Sequence, residues 1–260
     1  MARFEKLEFN TQQSDPSPAP ERNEPDPLAR DADYWMKKAD DSRRMGLYEN
    51  ALKFYSRALE LDRSLVAGWL GQVQMLVQLE EYPEAELWSR KSLELFPKNG
   101  ELMAARAQAF CRMGDMKQAY ALCDGALQQT GQSGYRWLVR GEIMVAAGKD
   151  VDRHCFDKAQ QLEEDWLVPL EAARIDLFYQ RPSKALIRIR RALDLAPDAP
   201  YVWFIQGTCQ AQLGLRNAAQ ESFRYCLELS PRHADAEEQL RRLQKWSWSP
   251  IKMFRRLLGR

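Results

Sequence analysis

The feature that most constrains this chain is a period. Trp35 and Trp69 stand 34 residues apart, and Met103 and Trp137 continue the step; Pro169 follows 32 later and Trp203 a further 34. A second series, Ala51, Ala85, Ala119, Ala185 and Ala219, keeps the same phase, as does a third, Ala58, Ser92, Ala126, Ala192 and Cys226. Glycines at 46, 114, 148 and 214 and prolines at 97, 197 and 231 fall in register with them. These series define units 32–65, 66–99, 100–133, 134–165, 166–199 and 200–233, with one two-residue deletion in the fourth. A fixed interval of this length marks a stack of supersecondary units, each burying its apolar face only against its neighbours.

Each unit divides into two amphipathic windows. In the sixth, Trp203, Gly207 and Gln210 run along one helical face, and Ala219, Phe223 and Cys226 along another. Gly214 falls where the first helix must stop, because glycine enters the left-handed region without a Cβ clash. Pro231 blocks continuation of the second helix. Gly207 and Ala219 are expected to face each other, their small side chains letting the axes approach at the short end of about 8–10 Å. In the fourth unit Asp152 stands near the place of the packing alanine. The loosest helix pair is therefore predicted there. Residues 234–245, ADAEEQLRRLQK, place Ala236, Leu240 and Leu243 on one face and suit the cap that an open stack requires.

The frame resembles the tetratricopeptide repeat (TPR). The first unit matches with Trp35, Ala39, Ala51, Tyr55 and Ala58, the second with Trp69, Ala85 and Pro97, and the third with Ala107, Gly114, Ala119 and Ala126. The fifth matches with Ala173, Ala185, Ala192 and Pro197, and the sixth at nearly every position. The resemblance implies an all-α fold: an α-solenoid of about six TPR helix pairs with a C-terminal capping helix. It also implies that the first helices line a concave groove that takes a peptide or helix of a partner protein. The matching groove positions include Leu70, Gln74, Arg112, Tyr135, Leu138 and Glu142, then Leu170, Arg174, Phe178, Tyr201, Phe204 and Thr208. Units four to six would present an apolar, aromatic strip, the kind of surface that marks binding sites. The positions with which some TPR domains hold a chaperone's C-terminal carboxylate are here Met36, Asp40, Gly71, Glu101 and Ala105. None matches that clamp, and chaperone-tail binding is set aside.

The ends differ in kind from the array. Residues 11–30 carry prolines at 16, 18, 20, 25 and 27 and almost no large apolar side chains, too little to offset the entropy of ordering. Residues 1–31 are thus expected to be disordered, with 1–10 either a frayed end or a short docking motif. The tail, 246–260, places Ile251, Phe254, Leu257 and Leu258 on one face and Lys252, Arg255 and Arg256 on the other, after Trp246 and Trp248. Such a segment suits packing on the array's end, docking on a partner, or weak contact with an anionic membrane.

Composition narrows the chemistry. Lys and Arg total 38 against 37 Asp and Glu, so no global field favours nucleic acid, which is not expected as a partner. The five cysteines form no CxxC pair, which argues against a disulfide framework or a zinc site and for a reduced compartment. No apolar leader opens the sequence, and no stretch has the length to span a bilayer. A cytoplasmic protein, peripheral at a membrane if the tail binds one, is the expectation. Of the two histidines, His154 adjoins Cys155, but neighbouring helical residues do not face each other. No phosphate-binding loop appears. The sequence thus reads as a non-catalytic interaction scaffold or adaptor without cofactor or metal, binding its partner in the concave groove. The alternative is a peripheral membrane or complex-assembly factor acting through the basic tail. A third arrangement has residues 1–10 or the tail lying in the groove until displaced.

Overall fold

The computed structural model describes residues 31–245. The described residues form 13 helices and no strand. Six antiparallel pairs follow one another: α1 (Ala32–Arg44) with α2 (Tyr48–Leu61), α3 (Val66–Gln78) with α4 (Tyr82–Leu95), and α5 (Gly100–Met113) with α6 (Met116–Gln128). Then come α7 (Gly134–Ala146) with α8 (Asp152–Leu162), α9 (Leu167–Phe178) with α10 (Pro182–Leu195), and α11 (Pro200–Gln212) with α12 (Arg216–Leu229). A last helix, α13 (Ala234–Lys245), packs on α12 through buried Ala236 and half-buried Leu240 and Leu243. This is the all-α solenoid of helix pairs that the period implies.

Local signals set the helix starts. Asp31, Asn99, Asp115 and Ser133 accept hydrogen bonds from the backbone amides of Tyr34, Leu102, Gln118 and Arg136, satisfying first-turn donors. Within every pair the turn passes through one residue of positive φ. It is glycine at 46, 114, 148 and 214, but Glu80 (64°) and Gln180 (57°) in units two and five. The glycine series skips those two units in the sequence, yet the backbone does not. A side chain in the left-handed region costs roughly 1–2 kcal/mol, partly offset by the lower unfolded-state entropy of a non-glycine residue. Glu80→Gly and Gln180→Gly should therefore each raise stability by about 0.5–1 kcal/mol in urea denaturation.

Small residues on the first helix make room for aromatic rings of the second. A Cβ on Gly207 would lie 2.6 Å from the Phe223 ring, and one on Gly141 2.5 Å from that of Phe156. The residue facing Gly207 is thus Phe223, whose ring stands where the sequence placed Ala219. The tryptophans have a second use. Trp69 Nε1 donates to the carbonyl of Arg63 at 2.9 Å, and Trp203 Nε1 to that of Pro197 at 2.7 Å, pinning the same inter-unit turn in two places. Between α6 and α7 that task falls to buried Arg136, which donates to the carbonyls of Ala126, Gln129 and Gly131 and pairs with Glu101 at 2.5 Å.

The fourth unit keeps its aromatic and its small residue: Phe156 and Ala159 are buried where the sixth unit has Phe223 and Cys226. Asp152 takes the alanine position and is 2 % exposed. Three cations of the fifth unit surround it, Arg181 at 2.6 Å, Lys184 at 3.6 Å and Arg188 at 3.7 Å. Burial works to raise the Asp152 pKa, but these cations outweigh it and hold the carboxyl below its usual range. Arg188 also pairs with fully buried Asp176 at 2.6 Å. The short helix is thus tied to its neighbour by a buried ion cluster, which opposes the looseness expected from its length.

Candidate functional site

The first helices of the units converge on the inner face, and there the array meets itself. Arg43 at the end of α1 pairs with Glu171 of α9 at 2.9 Å, and Arg44 reaches Asp165 at 2.5 Å. The Tyr48 hydroxyl lies 3.1 Å from that of Tyr201 on α11, and Arg174 donates to Tyr48. Gln78 of α3 donates to the second oxygen of Glu171 at 3.0 Å. The first unit is in side-chain contact with the fifth and sixth, and the concave face is crossed by its own side chains.

A second polar knot lies between units three and five. Glu142 is fully buried and accepts from Gln108 at 2.7 Å and from Arg112. Tyr135 donates to the amide oxygen of Gln108 at 2.8 Å. The Arg112 guanidinium lies 3.6 Å from the centre of the Phe178 ring, which also meets Tyr179 and Tyr82 edge-on. Further along, Tyr201, Phe204 and His233 form a ring group, with Phe204 centred 6.0 Å from Tyr201 and 4.8 Å from His233.

The inner positions named from the sequence separate into three groups. Gln74, Leu138, Glu142, Leu170 and Tyr201 are buried. Leu70, Arg112, Tyr135, Arg174, Phe204 and Thr208 are half-buried. Phe178 alone among them is exposed, at 37 %. The open apolar strip expected over units four to six is therefore corrected: much of it serves the fold. Leu138 packs in one cluster with Phe156, Val168 and Ala172, and Leu170 packs with Tyr201 and Val202. The physical reason is packing between adjacent units, which covers Leu138 and Leu170, while Arg43, Arg44 and Tyr48 of the first unit meet Glu171, Asp165 and Tyr201 across the inner face. The sequence reading missed these three residues, together with Glu171 and Gln78, because none belongs to a periodic series. The tail positions Trp246, Trp248, Ile251, Lys252, Phe254, Arg255, Arg256 and Leu258, and residues 1–30, lie outside the described residues.

The cysteines are poor nucleophiles. Burial pushes the thiols of Cys111, Cys209 and Cys226 up to about 12 and that of Cys123 to about 11. Cys155 is buried and also raised, while His154 beside it is exposed. No helix among the described residues is long and apolar enough to cross a membrane.

Comparison with known proteins agrees with this geometry. Residues 32–65 and 200–233 match the tetratricopeptide repeat family. Among solved structures, the chain is similar to a tetratricopeptide repeat protein from Parabacteroides merdae. Identity is 15 %, coverage 84 % of this chain and 86 % of that one, and the TM-score 0.52. It is also similar to a thermophilic TPR protein of Thermus thermophilus, at 17 % identity over 69 % of this chain and 99 % of that one, with a TM-score of 0.53. No curated protein matches the chain. The first and sixth units thus match the tetratricopeptide repeat model, and the helix-pair solenoid is the fold these solved structures share.

Proposed function

We propose that this protein is a non-catalytic interaction scaffold that takes a peptide or helix of another protein at the aromatic rim of its concave face. The observation that carries this reading is Phe178. It is a large apolar ring, 37 % exposed, on the inner side of α9, fixed from three sides by Arg112, Tyr82 and Tyr179. An aromatic already held in place loses little side-chain entropy when a partner covers it, which is how interface anchors concentrate binding energy. Phe204, half-buried against Tyr201 and His233, is a second anchor of the same kind.

The test selects binders from a phage-displayed peptide library on the full-length protein and measures them by fluorescence anisotropy. Phe178→Ser and Phe204→Ser should each weaken binding at least tenfold with helical circular dichroism unchanged. Leu138 is left intact, since at 6 % exposure its replacement would perturb the fold instead. Peptides that bind both serine variants as tightly as the parent would refute the reading.

A further inference from the structure

We infer that the seam between the first and fifth units is an oxyanion site, in which Arg43 and Arg174 together take a carboxylate from an acidic side chain of the bound peptide. This rests on the interaction reading above and adds the chemistry of the partner. Charges across the inner face pair unevenly. Arg44 has Asp165, Arg112 has Glu142, and Arg43 has Glu171. Arg174 has no carboxylate among the described residues: its guanidinium donates to the neutral hydroxyl of Tyr48 and lies 4.4 Å from the centre of that ring. A guanidinium does not shed its proton to escape such a place. A buried charge without a counter-charge is costly to keep.

Arg43 supplies the second half of the site. One of its terminal nitrogens is used by Glu171, but its Nε is buried and makes no hydrogen bond. The Tyr55 hydroxyl lies beside Arg43 and donates its proton to Asp40 at 2.5 Å. Glu171 is itself shared between Arg43 and Gln78, so it has little left to offer Arg174. Burial disfavours the charge on Arg174, and Arg43 alongside adds repulsion. Two guanidinium groups thus stand near one carboxylate that bonds only one of them, and the Nε of Arg43 is left over. A second carboxylate matches both the planar geometry of the donors and the missing charge. The Tyr48 and Tyr201 hydroxyls border the position. As a residue Arg174 is half-buried. The site comes from two units far apart in sequence and exists only because the ring closes.

The test uses full-length protein with 15N-labelled arginine and follows the Nε–Hε resonances of Arg43 and Arg174. The probes are acetylated hexaglutamate amide, the matching hexaglutamine amide and sodium phosphate. Hexaglutamate should shift both resonances saturably, hexaglutamine should not, and Arg174→Gln should weaken hexaglutamate binding at least tenfold. Arg174→Lys, which keeps the charge and loses the fork, should weaken it less than the glutamine variant. No response to hexaglutamate, or equal affinity for the glutamine variant, overturns the site. Phosphate shifting both resonances while hexaglutamate does not would assign the site to a free anion and overturn the acidic-peptide inference. Selected peptides that need Phe178 but leave Arg174 unmoved would sink the site and keep the scaffold reading.

Discussion

Gly46→Ala should cost about 3 kcal/mol or more and loosen the closed array, whereas Gly214→Ala should cost only about 1 kcal/mol. The two glycines occupy the same turn position in the first and sixth units with nearly the same backbone, φ 74° and 75°. Left-handed strain, roughly 1–2 kcal/mol, is therefore common to both substitutions. Their surroundings differ. A Cβ on Gly214 would meet nothing within 4 Å, but one on Gly46 would run into the ring of Tyr201. Tyr201 is 6 % exposed and packed among Leu170, Val202 and Ile205, so the ring cannot step aside without disturbing that cluster. Overpacking of this kind costs a further 1–3 kcal/mol. The excess measures the contact between the first and sixth units, and trimming Tyr201 to leucine should remove most of it. Chemical denaturation gives the energies, and small-angle scattering should show a larger radius of gyration for Gly46→Ala alone. Equal costs at both glycines would mean that the seam does not form in solution.

The helix pairs were legible because their determinants are local and recur. A glycine under Phe223, a tryptophan pinning the turn before it and a proline after the second helix are all set within one unit or its neighbour. Closure was not legible. It depends on a small rotation repeated from unit to unit, and no single residue encodes the sum. Arg43, Arg44 and Glu171 look in sequence like a solvated helical face. Only the accumulated curvature makes them partners. The groove depends instead on packing between adjacent units, which a position within one unit does not reveal. By position alone Leu138 and Phe178 were equivalent candidates, yet Leu138 is held between units four and five while Phe178 stays open. Asp152 shows the converse: a departure from the repeat that reads as a defect is matched by Arg181 and Arg188 one unit on, beyond the reach of a single-unit comparison.

Glu142→Ala should be among the most damaging single substitutions in the array, costing about 3–5 kcal/mol. The carboxylate is fully buried, and the Arg112 side chain it faces is 7 % exposed. Removing it leaves a guanidinium that can neither deprotonate nor reach water, and it strips Gln108 of its acceptor. Tyr135, which donates to Gln108, then loses the partner that fixes that amide. An exposed pair is the internal control. Arg57 and Glu60 lie 2.5 Å apart but are about half exposed, so Glu60→Ala should cost less than about 1 kcal/mol. The pair Arg112→Met and Glu142→Leu, made together, should recover most of the loss, because apolar groups of similar volume often replace a buried ion pair at little cost. Recovery of stability without recovery of peptide binding would separate two roles of Arg112. One is to neutralise Glu142 in the interior; the other is to brace the Phe178 ring 3.6 Å away. A loss under 1 kcal/mol for Glu142→Ala in chemical denaturation would mean that water reaches the pair, and that the inner face is open where it is here closed.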